Sequence, residues 1–225
     1  AVFKKYGIEY CCGGKWPLSM VCKLNGLDVD TLLNELNAAT KTIIMPASLP
    51  YHSWSIDFLT DYIVNIHHEY LRQVLPALQG QLKKFVEEHE KKHPHLPELM
   101  DTFNNLHTVM MPHLREEEDV IFPYIRQIAH AHESKEPYGR LLVSTMRKPV
   151  EEMMHHEHEF IDAALGQFRR LTNTYSPPES SCTSHRLSFS LLKELDDDLV
   201  QHVFLEKEVL FARAISMEAD LLGRR

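Results

Sequence analysis

Two stretches of this sequence carry the same arrangement of an imidazole and a carboxylate. An H-x-x-x-E-x-x-x-[IL]-F pattern runs from His113 through Glu117 and Ile121 to Phe122, and returns 89 residues later from His202 through Glu206 and Leu210 to Phe211. His68, Glu69 and Tyr70 return in the same way as His158, Glu159 and Phe160, 90 residues on. Two independent matches at nearly one offset indicate an internal duplication. Residues four apart share a helix face, so His113 with Glu117, and His202 with Glu206, each form a chelating unit. One imidazole from each of two further helices, His68 and His158, brings the set to four nitrogen donors and two carboxylates. Mixed nitrogen and oxygen donors without thiolate suit non-haem iron better than structural zinc or calcium.

Two irons bridged by both carboxylates and by one oxo or hydroxo group would each hold two imidazoles, two carboxylate oxygens and the bridge. One coordination position per iron then stays open. Two ferric ions with an oxo group and two ferrous ions without it leave the same net charge, so redox cycling need not change the charge that is buried. A single histidine on a bundle face is ordinarily a hydrogen-bonded core residue. It is the repeat, together with the spacing of all six residues, that favours a metal site. The remaining histidines read as surface residues, and Glu118 and Glu208 as solvent-facing. Glu157, beside His158, reads either as an acceptor behind an imidazole or as a solvated carboxylate.

Helices must position these side chains. Ile56, Leu59, Ile63, Ile66 and Tyr70 recur at steps of three and four, as do Leu187, Leu191, Leu195, Leu199 and Val203, and no alternating strand pattern competes. Helix breakers cluster from His93 to Pro97, from Glu136 to Gly139 and from Ser176 to Pro178. If antiparallel helices carry ligands at one height, each reversal falls midway between successive ligands, near residues 90, 137 and 180, and each breaker cluster lies at or beside one of these points. The expected fold is all-α: an up-down-up-down four-helix bundle preceded by a small N-terminal helical domain. Pro76 and Pro112 fall inside helices, where proline costs about 3 kcal/mol, so kinks are expected there.

The 225 residues allow one bundle plus a small extra domain. The expected divisions are residues 1–45 for the small domain, 46–55 for a linker carrying Pro46 and Pro50, and 56–220 for the bundle. Within the small domain, Asp28 to Thr40 reads as a short amphipathic helix capped by Asp28. The chain opens at Ala1 without an initiator methionine, so residues upstream are expected. A formal net charge of −8 argues against a nucleic-acid partner or an anionic membrane surface. No run approaches the roughly 20 apolar residues that span a bilayer, and no signal peptide opens the chain, so the protein reads as cytoplasmic.

One competing motif lies nearby: His89 to His93 matches the H-E-x-x-H zinc signature. Its surroundings, with Lys83, Lys84, Glu87 and Glu88 before it and Pro94 after, describe a charged helix end running into a turn, with no apolar face to bury a catalytic zinc. The four cysteines, Cys11, Cys12, Cys22 and Cys182, are too few and too irregular for a disulfide scaffold. Cys11 and Cys12 are followed by Gly13 and Gly14, and read either as a flexible thiol site for a metal or partner, or as plain thiols in a turn.

Tyr10, Cys11, Cys12, Gly13, Gly14 and Lys15 at the front, with the His68, His113/Glu117, His158 and His202/Glu206 pattern behind, resemble the Repair of Iron Centres family over nearly the whole chain. The resemblance implies a haemerythrin-like bundle with His68, His113, His158 and His202 as terminal ligands and Glu117 and Glu206 as bridging carboxylates. It also implies a cytoplasmic di-iron protein, monomer or homodimer, that restores iron–sulfur clusters damaged by nitric oxide or oxidants. Its clients would be the damaged iron–sulfur proteins, served by supplying iron, with Cys11 and Cys12 as a transfer or docking site. Two departures stand out: the family's segment before the double cysteine is largely absent, and Ala212 replaces the proline expected after Phe211, which reads as a helix-end variation. Two other functions suit the same ligands, a carrier or sensor of dioxygen or nitric oxide, and a redox enzyme acting on nitric oxide, nitrite or peroxide. Ferritin-like chemistry is less favoured, because those bundles use more carboxylates and a Glu-x-x-His spacing.

Overall fold

The computed structural model describes residues 2–8, 17–39, 49–145 and 150–223, the side chains of Lys4 and of residues 150–157 excepted. All regular elements among the described residues are helical. The chain divides into two compact units, Ala1–Leu49 with Pro178–Leu187, and Pro50–Pro177 with Ser188–Arg225.

In the first unit, helices α1 (Val2–Lys5), α2 (Leu18–Leu24) and α3 (Val29–Ala39) surround a small core of Ile8, Cys22 and Leu32. Asp28 caps α3 as the sequence indicates: its Oδ2 accepts from the Thr31 amide at 2.8 Å, and the Thr31 hydroxyl and amide hold its carboxyl below the usual range. Glu35 on α3 accepts from Tyr6 and Lys5, which ties α3 to the end of α1. Cys22 is fully buried and serves this core. Cys11 and Cys12 lie outside the described residues.

The second unit is a helical bundle. Its helices are α4 (56–89), α5 (96–133), the short α6 (Gly139–Thr145), α7 (Val150–Leu171) and, from Ser188 onward, α8 (183–222). Ser55 starts α4 by accepting from the Phe58 amide, and Gly223 ends α8 in the left-handed region at φ 69°, which a glycine adopts without Cβ strain. No helix among the described residues is long and apolar enough to cross a membrane. Ahead of α4, a single 3₁₀ turn at Tyr51–Ser53 lets Tyr51 and Trp54 pack on the bundle core.

The regular α-helix runs through both Pro76 and Pro112. Departures from α-helical bonding fall instead on wider turns at Ile63–His68, Glu117–Ile121 and Leu205–Phe211, where hydrogen bonds reach five residues back, as from the Glu69 amide to the Val64 carbonyl and from Phe122 to Glu117. Pro123, which has no N–H to donate, follows the turn in α5. Ala212 stands at the equivalent place in α8, and the wide turn forms there without proline. Nor is Ala212 at a helix end, since the helix continues to Leu222. Each wide turn begins or ends at a histidine or glutamate of the repeat or directly beside one, the placement typical of such turns at functional sites.

Two apolar layers fill the bundle. One is built from Leu71 to Val86 of α4, Leu96 to Leu114 of α5, Ile161 to Leu171 of α7 and Phe189 to Val203 of α8. The other is built from Ile56 to Ile63 of α4, Ile121 to Ala129 of α5 and Leu205 to Ala214 of α8. Following the chain, α4 passes from the second layer to the first, α5 from the first to the second, and α8 again from the first to the second. In each of these helices the repeat residues stand where one layer gives way to the other.

Candidate metal centre

At the level between the two apolar layers, the structure brings all six repeat residues together. His68, His113, Glu117, His158, His202 and Glu206 are all buried, none more than 3% exposed. They fall into two overlapping groups, His68, Glu117, His202 and Glu206, and His113, Glu117, His158 and Glu206, with the donor atoms of each group within 4.8 Å of one another. The two glutamates therefore belong to both groups, and the histidines divide into the pairs His68/His202 and His113/His158.

The contacts show how this sharing works. Glu206 Oε1 lies 2.7 Å from His202 Nε2 and 3.6 Å from His68 Nε2, while its Oε2 lies 3.2 Å from His158 Nε2. Glu117 Oε2 lies 3.4 Å from His113 Nε2 and 3.5 Å from His68 Nε2. All four imidazoles turn Nε2 inward, and the His68 and His202 Nε2 atoms are 3.2 Å apart. Both Glu206 oxygens and His158 Nε2 are nevertheless buried without a hydrogen-bond partner. Polar atoms left so cost about 1–3 kcal/mol each, a cost that a cation seated among them removes. Four imidazole nitrogens and two shared carboxylates suit a pair of first-row transition metal ions.

Electrostatics point the same way. Burial alone would raise the Glu206 carboxyl, but the imidazoles of His202, His158 and His68 outweigh it and hold the group well below its usual range. Burial lowers His202, aided by the neighbouring His68 and His113 and opposed by Glu206. Both directions favour the deprotonated forms of Glu206 and His202, the forms that bind metal.

Further contacts fix these side chains. Glu118, read from sequence as solvent-facing, is instead partly buried and accepts both His68 Nδ1 at 2.6 Å and Arg72 at 2.6 Å. Glu117 and Glu118 thus take opposite sides of one imidazole: Glu117 Oε2 lies 3.5 Å from His68 Nε2, and Glu118 Oε1 lies 2.6 Å from His68 Nδ1. Glu208 is exposed, as expected. His67, grouped with the surface histidines by sequence, is 2% exposed and pairs through Nδ1 with Asp198 Oδ1 at 2.9 Å. The phenylalanines that close the repeat have a matching role: Phe122 stacks on His68 at 5.7 Å and Phe211 on His158 at 6.0 Å. The paired Phe positions were visible in the repeat, whereas His67 and Asp198 carried no periodic signal.

Of the other candidates, His89 ends α4 with Nδ1 facing the Phe85 carbonyl, and Glu90 to Lys92 form a turn, so the H-E-x-x-H residues do not share a helix face. The Glu157 side chain is outside the described residues.

Residues 60–214 match the Hemerythrin HHE cation binding domain, and residues 1–40 match a Domain of Unknown function (DUF542). Over 219 residues the chain is 32% identical to the "Iron-sulfur cluster repair protein YtfE" of Escherichia coli O1:K1 and of Escherichia fergusonii, covering 97% of this chain and 91% of each relative. The same protein of Escherichia coli O81 is 31% identical over the same span.

Proposed function

Because the chain belongs to the Repair of Iron Centres family, we propose that it holds two non-haem irons on His68, His113, Glu117, His158, His202 and Glu206 and repairs damaged iron–sulfur clusters. The observation that carries this reading is the sharing of Glu117 and Glu206 between two buried histidine pairs, with both Glu206 oxygens and His158 Nε2 lacking any hydrogen-bond partner. Two metal groups joined by two carboxylates describe a pair of bridged ions, whereas a single structural zinc needs only four donors. The relatives are named for the biological step, and their match runs over nearly the full length of both chains.

When bound, the irons would supply a redox-active pair and a source of metal for a damaged cluster. The chain's own part is to keep them between apolar layers, away from bulk water, on ligands oriented by Glu118 and Phe122. The reaction proposed is donation of iron to client iron–sulfur proteins in the cytoplasm under nitrosative or oxidative stress, with an oxo or hydroxo bridge between the stored ions. Cys11 and Cys12 are proposed to assist transfer or docking.

The test starts from protein purified without added metal, examined by metal analysis and Mössbauer spectroscopy. Two irons per chain in one coupled site are expected, and zinc or a single iron would overturn the centre. Reactivation of a cluster enzyme damaged by nitric oxide then tests the function. The variant C11A/C12A should keep its iron and lose most of the reactivation rate; unchanged reactivation would remove the cysteines from the proposal.

A further inference from the structure

A run of aromatic rings leads away from the six-residue centre. The His67 ring lies nearly parallel to that of His202, with centroids 5.8 Å and planes 19° apart. Tyr62 meets His67 edge-on at 5.7 Å, Trp54 meets Tyr62 at 5.1 Å, and Phe58 meets Trp54 at 4.8 Å. Phe58 is 51% exposed, so the run reaches the surface. Tyr51 adds a side contact to both Trp54 and Tyr62.

Aromatic rings bury much apolar area and pack edge to face, so packing alone accounts for the contacts. It does not account for their identity. Aliphatic residues of similar volume would fill the space, whereas tyrosine and tryptophan are the side chains whose rings give up one electron most readily. Electron tunnelling falls off exponentially with distance, and no step in this run exceeds 5.8 Å between centroids. An oxidising equivalent formed at the centre therefore has a graded way out. Without one it would fall on the ligand imidazoles themselves.

We propose that Tyr62 and Trp54, reached through the His67 ring stacked on His202, form an electron relay that draws oxidising equivalents out of the centre to the surface. The inference rests on the two-iron reading above. Hydrogen peroxide takes up two electrons on reduction to water: a ferrous ion held by the six residues would give the first, becoming ferric, and Tyr62 gives the second. The phenolic proton of Tyr62 and one proton from solvent complete two water molecules. Trp54 then returns an electron to the Tyr62 ring, which takes back a proton as the indole loses its own, and a one-electron donor such as ascorbate or a thiol repairs Trp54. Burial and the adjacent Tyr51 hydroxyl push the Tyr62 phenol up, so at rest it holds the proton the step releases.

The experiment uses the full iron-loaded chain, poised with one ferrous and one ferric ion, mixed with hydrogen peroxide and frozen within milliseconds for electron paramagnetic resonance. A tyrosyl signal is expected that Y62F abolishes at unchanged iron content and that Y70F leaves in place, Tyr70 being the other tyrosine close to His68 in sequence. W54F should retain the signal and slow its decay several-fold. Mass spectrometry after repeated peroxide exposure should find more oxidised His202 and His67 in Y62F than in the parent. A tyrosyl signal surviving in Y62F, or equal histidine oxidation in both, overturns the relay while leaving the metal centre standing. A chain that binds no iron overturns both.

Discussion

Glu206 spans the two histidine pairs with its own two oxygens, Oε1 at 2.7 Å from His202 Nε2 and Oε2 at 3.2 Å from His158 Nε2. Glu117 reaches one imidazole of each pair through its Oε2, 3.5 Å from His68 Nε2 and 3.4 Å from His113 Nε2. Substitution of Glu206 should therefore affect both metal positions at once. In Glu206→Gln the geometry is kept while one bridging charge is lost, and elemental analysis should fall from two irons per chain to one or fewer. Two irons retained in this variant would show that Glu206 does not bridge.

Bound metal should also appear as stability. A ligand that binds only the folded chain at a hundredfold its dissociation constant adds about 2.7 kcal/mol. At about 2–4 °C per kcal/mol for a chain of this size, chelation should lower the melting temperature by roughly 5–11 °C. Calorimetry of the loaded and chelated protein tests this, and coincident transitions would contradict a buried centre.

Glu118 would act on a bound metal through His68 Nδ1 and is itself held by Arg72. Removing an acceptor of this kind from a ligating histidine typically lowers metal affinity on the order of 10–100-fold. Glu118→Gln should show that loss by competition with a chromophoric chelator, with a smaller loss in Arg72→Met. Glu208→Gln, altered at an exposed position, should bind as the parent does.

Phe122 covers the His68 ring and belongs to the second apolar layer. Phe122→Ala should cost about 3–5 kcal/mol in denaturant unfolding. Phe122→Leu, closer in volume, should cost less than about 1.5 kcal/mol and keep both irons, with altered visible absorption.

Alkaline pH should open the bundle at the turn between α7 and α8. Asn173, Thr174 and Tyr175 all have positive φ there, and the Tyr175 hydroxyl bonds Asp196, which Arg169 also holds. Burial, then the Asp196 hydrogen bond, push the Tyr175 phenol above its ordinary value of 10. The folded value exceeds the unfolded one, so this contribution is complete below pH about 10 and is lost as pH rises toward the folded value. Melting temperature should decline above pH about 10, and Tyr175→Phe should flatten that decline while costing about 1 kcal/mol near neutrality.

The sequence by itself determined the six residues and the helices that carry them, because helical periodicity and a repeated four-residue spacing are local properties. Apolar steps of three and four announce a buried stripe, and a histidine four residues before a glutamate must share its face wherever the helix lies. The double-cysteine segment carried its resemblance but lies outside the described residues. What only the tertiary structure decided is which atoms meet across helices. The pairing of His68 with His202 and of His113 with His158, the inward turn of Glu118, and the burial of His67 against Asp198 all join residues tens of positions apart or more. They also depend on the wide turns at Ile63–His68, Glu117–Ile121 and Leu205–Phe211, which shift side-chain direction away from the regular 100° per residue. A reading that assumes regular helices sends Glu118 to solvent. In the fold, His68 and Arg72 of α4 hold it instead.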